Sequence, residues 1–137
     1  ATVHALDHLF RLARRCRQER RLEIVRTDQQ LRPLSELIQS EASKLHAHVD
    51  FGPAAERLDE LRKTLREERR RYRTDTIAAA SLQSGVTTTT LERLDSMRWL
   101  HRVAYHLWRV CDHLHTIEDP RSAQPPAAEI GFELSEE

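Results

Sequence analysis

A chain of 137 residues with 32% charged and 39% hydrophobic side chains, but only three glycines and five prolines, is long enough to bury one core without disulfides and poor in the turn residues that strand-rich folds need. Its 22 basic and 22 acidic residues cancel, so no overall field draws it to nucleic acid or to an anionic membrane. Cys16 and Cys111 belong to no CxxC or Cys/His spacing, which reads them as small core residues of a reducing compartment and excludes a disulfide scaffold or a zinc finger.

An all-α fold follows, and four helices are expected in chain order. The first spans about Thr2 to Val25, with Val3, Leu6, Leu9, Phe10, Ala13 and Cys16 at spacings of three and four before an arginine-rich end. The second opens on a capping-box pattern at Thr27 to Gln30 and runs through Leu31, Leu34, Ile38, Ala42, Leu45 and Val49 to about Asp50. Pro33 either kinks it or marks its true start. The third follows the break at Gly52-Pro53 and spans about Pro53 to Ser84, roughly 48 Å at 1.5 Å per residue. Glu68 and Asp75 fall on its apolar stripe, where pairing with arginine is the expected reason. Gly85 ends it. The fourth, about Thr90 to Asp119, is to be capped by Thr89 and Glu92 and carries a broad apolar face from Leu91 to Ile117. Beyond it, residues 120–137 read as a flexible Pro-rich acidic tail in which Ile130, Phe132 and Leu134 alternate.

No apolar run approaches the roughly 20 residues of a membrane span, and no signal-peptide pattern opens the chain. A start at Ala1 without an initiator methionine points to a piece of a longer protein. Seven arginines between Arg11 and Arg26, against Glu19 and Glu23, read as a solvated helix face rather than a phosphate-binding patch.

The first and fourth helices share a pattern. HLFRLAR, His8 to Arg14, and HLWRVCD, His106 to Asp112, lie 98 residues apart and agree in His, Leu, an aromatic residue and Arg. A duplicated helical unit accounts for this if each unit buries its face against the other, which makes Phe10 and Trp108 expected core partners.

These segments resemble a family. RVAYHLWRVCDHL, Arg102 to Leu114, resembles the motif helix of PhoU-type phosphate-uptake regulators, and LDHLFRLAR, Leu6 to Arg14, resembles the partner motif of the same tandem repeat. MRWLHRVAYHLWR, Met97 to Arg109, is similar to the cytoplasmic PhoU-like domain that follows the membrane part of bacterial sodium/phosphate cotransporters. The resemblance covers most of residues 3–117. It implies an antiparallel four-helix bundle of PhoU-like type over residues 1–119. It further implies a cytoplasmic location, tethered to the inner membrane within a longer chain, and regulation of phosphate uptake by protein contact. The expected partner is the membrane part of its own transporter or another transport component. The family places two carboxylates on one helix face for metal. Here Val3 stands one turn before Asp7, and His101 and Tyr105 occupy the matching places in the fourth helix. No metal or other cofactor is therefore expected, with Asp7, His8, His106 and Asp112 as the residual ligand candidates.

The remaining histidines, His4, His46, His48, His113 and His115, are expected to face solvent, since HExxH is absent and His46 and His48 point apart on a helix. The chain lacks a Gly-rich phosphate loop and a nucleophile elbow, so it does not read as an enzyme. The alternatives are a stand-alone helical assembly module and an Arg-rich nucleic-acid-binding bundle. Neutral charge and few aromatic residues in the arginine stretch disfavour the latter. Helices of unequal length leave ends uncovered, and Tyr72, Ile77, Leu82 and Trp99 are expected at such a surface, used for a homodimer or for docking on the transporter.

Overall fold

The computed structural model describes residues 1–122; the alternating Ile130, Phe132 and Leu134 of the expected tail lie outside the described residues. Among the described residues five α-helices follow one another: α1 (Thr2–Cys16), α2 (Glu19–Thr27), α3 (Leu31–Ser43), α4 (Phe51–Gln83) and α5 (Thr88–Glu118). A 3-10 turn at Pro120–Ser122 closes the described chain, and no strand occurs among the described residues.

The two long helices form the frame because they carry the longest apolar stripes. Leu58, Leu65 and Tyr72 of α4 interlock with Met97, Leu100, Val103, Ala104 and Cys111 of α5, all nearly inaccessible to solvent. Local chemistry sets their ends. Asp50 accepts the Gly52 N–H at 3.1 Å to cap α4. Gly85, at φ +81°, takes the left-handed conformation that lets the chain turn back, and its N–H donates to the Ala80 carbonyl at 2.8 Å. The capping box of α5 is made by Thr87 and Thr90, not by Thr89 and Glu92: each threonine hydroxyl accepts the other residue's N–H. Starting two residues earlier buries Thr90 and leaves Glu92 to pair with Arg20 at 2.9 Å.

The expected first helix is broken in two, at Arg17 and Gln18. Gln18 leaves helical geometry at φ −82°, ψ +81°. At 3.6 residues per turn, an unbroken helix would carry Ile24 and Val25 round to the side opposite Ala5, His8 and Leu12. The break turns both inward, where they are buried. The second expected helix is shorter than its pattern. Asp28, not Thr27, supplies its cap, accepting the N–H groups of Gln30 and Leu31 at 2.9 and 3.1 Å. Pro33 then lies in the first turn of α3, where a missing N–H costs nothing. Asp28 also accepts from the Tyr72 hydroxyl at 2.7 Å and from Arg93 at 3.0 Å, tying the α2–α3 junction to both long helices.

Several expected roles change with this arrangement. Phe10 is 72% exposed and is no core partner of Trp108, because among the described residues α1 sits at the edge, packed on α5 by its opposite side. Trp108 packs against the core with the Arg62 guanidinium 4.4 Å from its ring centre. Cys16 is exposed on α1, whereas Cys111 is buried. Tyr72 and Trp99 are enclosed rather than at an interaction surface: one ties to Asp28, and the other fills the α1–α5 crossing, its indole N–H donating to the Arg15 carbonyl at 3.2 Å. Ile77 is half-buried and Leu82 stands out at 88% exposed. Glu68 pairs with Arg71 at 3.2 Å, and Asp75 is exposed. Among the described residues no helix is long and apolar enough to cross a membrane.

Candidate functional site

α1 runs antiparallel along α5, with Arg15 beside Trp99 at one end and His4 beside His113 at the other. This brings four histidines into one seam. The Nδ1 atoms of His8 and His106 face each other at 3.0 Å. The His113 ring stacks within 5.5 Å of His8 and 5.6 Å of His4, and Tyr105 meets both His8 and His106 edge-on. His106 is buried, and His8 and His113 are half-buried. The expectation that the remaining histidines face solvent therefore fails for His113, and for the half-buried His115, whereas His4, His46 and His48 are exposed.

Two of the four residual ligand candidates, His8 and His106, are brought together; the two carboxylates are not. Asp7 accepts from Arg11 at 2.9 Å and Asp112 from Arg109 at 3.0 Å, so each is already neutralised. Among the described residues no group of three His, Cys, Asp or Glu side chains is placed to hold a metal ion. His4 and His113 went unrecognised as members of the seam. Their signal was present, since His4 and His8 are one turn apart and His106 and His113 two turns apart. It becomes visible only once α1 is known to lie antiparallel on α5.

The seam is built for neutral imidazoles. At a shared Nδ1 contact one ring donates and the other accepts, which two imidazolium ions cannot do. Burial, followed by Arg15, His8, Arg11 and Arg102, pushes His106 down to about 4. Burial and then Arg109 push His113 to about 4, against the opposing pull of Asp112. His8 is lowered by burial and Arg109. On the α4 side of α5, burial and the cations of Arg69, Arg62, Arg66 and Arg102 bring His101 to about 4. The Nε2 atoms of His101 and His113 are buried without a hydrogen-bond partner among the described residues, so protonation there finds no acceptor among them.

A second polar site lies at the far end of the bundle. An open cavity of about 750 Å³ is lined by Arg20, Thr27, Asp28, Thr76, Glu92 and Arg93, among others. Its arginines are committed, Arg20 to Glu92 and Arg93 to Asp28. Burial raises the Asp28 carboxyl, but hydrogen bonds from Tyr72, the Gln30 and Leu31 N–H groups and Arg93 outweigh it and hold the group below its usual value. Tyr72 is pushed up to about 12 by burial and by its bond to Asp28. The site is structural cement with a wet face.

Among the described residues two groups of large apolar side chains are left open. Leu82, Val86 and Leu91 form the tip of the α4–α5 hairpin at 88, 56 and 53% exposure. Val3, Leu6, Leu9 and Phe10 line the outer side of α1.

No family model matches the chain, and neither the curated proteins nor the solved structures contain a match to it.

Proposed function

We propose that this chain is a cytoplasmic regulatory domain that acts by protein contact, rather than by catalysis, on a sodium-dependent phosphate transporter. The observation that carries contact as its mode of action is the hairpin tip, where Leu82, Val86 and Leu91 stay in water. Large apolar side chains exposed at the end of two long helices gain free energy when a partner covers them. The transporter enters through the sequence: residues 6–14 and 102–114 resemble the PhoU-type motif pair. The antiparallel seating of α1 on α5 supports the finer reading as a PhoU-like bundle, with the split α1–α2 segment standing for its first helix.

On this reading the tip docks on the membrane part of the transporter, to which the domain is tethered at the inner membrane. Uptake is modulated only if the tip binds one state of the transport cycle better than another. The test is labelled-phosphate uptake by cells expressing a sodium/phosphate cotransporter with this domain attached. Leu82→Glu with Leu91→Glu is expected to abolish the difference between transporters with and without the domain. Unchanged regulation by that variant refutes docking through the tip. The second reading, a homodimer, draws on the same three side chains and predicts a dimer in light scattering that becomes a monomer in the same variant.

A further inference from the structure

The outer side of α1 is a separate surface and shares no residue with the hairpin tip. Positions 3, 6, 10, 14 and 17 recur at spacings of three and four, so one stripe runs the length of the helix and onto its cap. It changes character on the way. Val3, Leu6 and Phe10 are 77, 61 and 72% exposed, with Leu9 flanking them at 49%. Arg14 and Arg17 then continue the stripe, both exposed. Asp7 is the one acid of the helix, and Arg11 holds it. No ion pair engages Arg14 or Arg17 among the described residues. Beside Phe10 an open cleft of about 520 Å³ is lined by Arg11, Arg14, Arg15 and Gln18 as well as Asp7.

The occupant of such a surface must be apolar under the first two turns and anionic under the last. A second copy of the chain fits poorly. Four side chains on one short helix make a patch on the order of 400 Å². Two copies pressed together would bury about 800 Å², the size of a packing contact and short of the roughly 1,200 Å² at which stable dimers begin. Facing ridges would also bring arginine-rich ends into the same contact. A bilayer surface has neither difficulty, since it needs no matching groove and presents phosphates above an apolar boundary. We propose that α1 is an interfacial helix whose outer side seats on an anionic lipid bilayer, with Val3, Leu6, Leu9 and Phe10 at the acyl boundary and Arg14 and Arg17 against lipid phosphates. The neutral total charge of the chain does not oppose this, because the lipid surface potential decays within a Debye length and acts on the nearest cations.

Flotation of the purified chain with vesicles tests the assignment. Vesicles of phosphatidylcholine with roughly one-third phosphatidylglycerol are expected to carry the protein upward, and vesicles of phosphatidylcholine alone to leave it behind. Leu6→Asp with Phe10→Asp is expected to abolish flotation. Arg14→Glu with Arg17→Glu is expected to weaken it by about 25-fold or more, at about fivefold per arginine near such a surface, and to flatten its salt dependence. All four side chains are solvent-exposed, so both variants are expected to keep the helical spectrum and melting temperature of the parent. No flotation with the anionic vesicles overturns the proposal, as does flotation that survives Leu6→Asp with Phe10→Asp. A lipid-free dimer in light scattering that disappears in that variant also overturns it, by assigning the ridge to a second copy.

Discussion

Replacing His106 by asparagine probes whether the histidine seam holds α1 in place. The asparagine amide keeps a polar group near the position of Nδ1, opposite His8, but cannot take up a proton. In the folded chain His106 lies at about 4, against 6.5 for a free histidine, and it is only 6% exposed. A group lowered on folding contributes stability that is fully present above its unfolded value and is lost as pH falls toward its folded value. The affected window therefore runs from about pH 6.5 down to about pH 4. At about 1.4 kcal/mol per unit, the whole shift corresponds to roughly 3 kcal/mol, of which about 2 kcal/mol is gone by about pH 5. His101 and His113, also near 4, add to the slope by less than their full shifts because both are half-exposed. Urea unfolding followed by circular dichroism from about pH 7.5 to about pH 4.5 reads this directly. Wild-type stability is expected to fall steeply across the window, and the His106→Asn variant, weaker at neutral pH, to fall less steeply by close to one bound proton. Parallel curves for the two proteins refute the claim that His106 is held neutral by the fold.

Tyr72→Phe removes the hydroxyl bonded to a nearly buried Asp28 and is expected to cost about 1–2 kcal/mol in chemical denaturation, without change in helix content. Leu58→Ala, deep in the α4–α5 interface, is expected to cost about 2–5 kcal/mol, whereas Phe10→Ala changes stability by under about 0.5 kcal/mol; similar losses at both would place Phe10 in the core. A maleimide is expected to label exposed Cys16 in the native protein and buried Cys111 only after unfolding, as counted by mass spectrometry.

The long helices were legible because stripe, cap and turn agree. Gly52, Pro53, Gly85 and the run of threonines bracket α4 and α5, and the structure moves their starts by only two residues. The break at Gln18 was not legible, because glutamine and arginine are good helix formers and nothing local stops the helix there. Only the demand to bury Ile24 and Val25 stops it, and that demand comes from tertiary contact. Asp28 was hidden for a related reason. It sits inside a capping pattern that Thr27 fits equally well, and its bonds to Tyr72 and Arg93 join residues 44 and 65 positions away. Among the site residues, His8 and His106 stood out through the repeated pattern. His4 and His113 depended on a helix direction that periodicity does not specify.

The repeated pattern also shows what a local sequence cannot decide. His8 and His106 occupy equivalent places and meet face to face at 3.0 Å, as two similar antiparallel helices do when they cross at matching residues. From there the copies diverge. Leu107 is 8% exposed and Trp108 is packed on the core, while the matching Leu9 and Phe10 are 49 and 72% exposed. The residue types are nearly the same, so the difference lies in the number of neighbours. α5 is sandwiched, with α4 on one side and α1 on the other, and both of its sides find cover. α1 has α5 alone. A pattern made for two covered sides, placed at the edge of a bundle, leaves one of them in water, and a free-energy deficit of that kind is what a membrane surface or a partner removes. The same edge position confines the adhesion of α1 to one apolar side and the histidine seam.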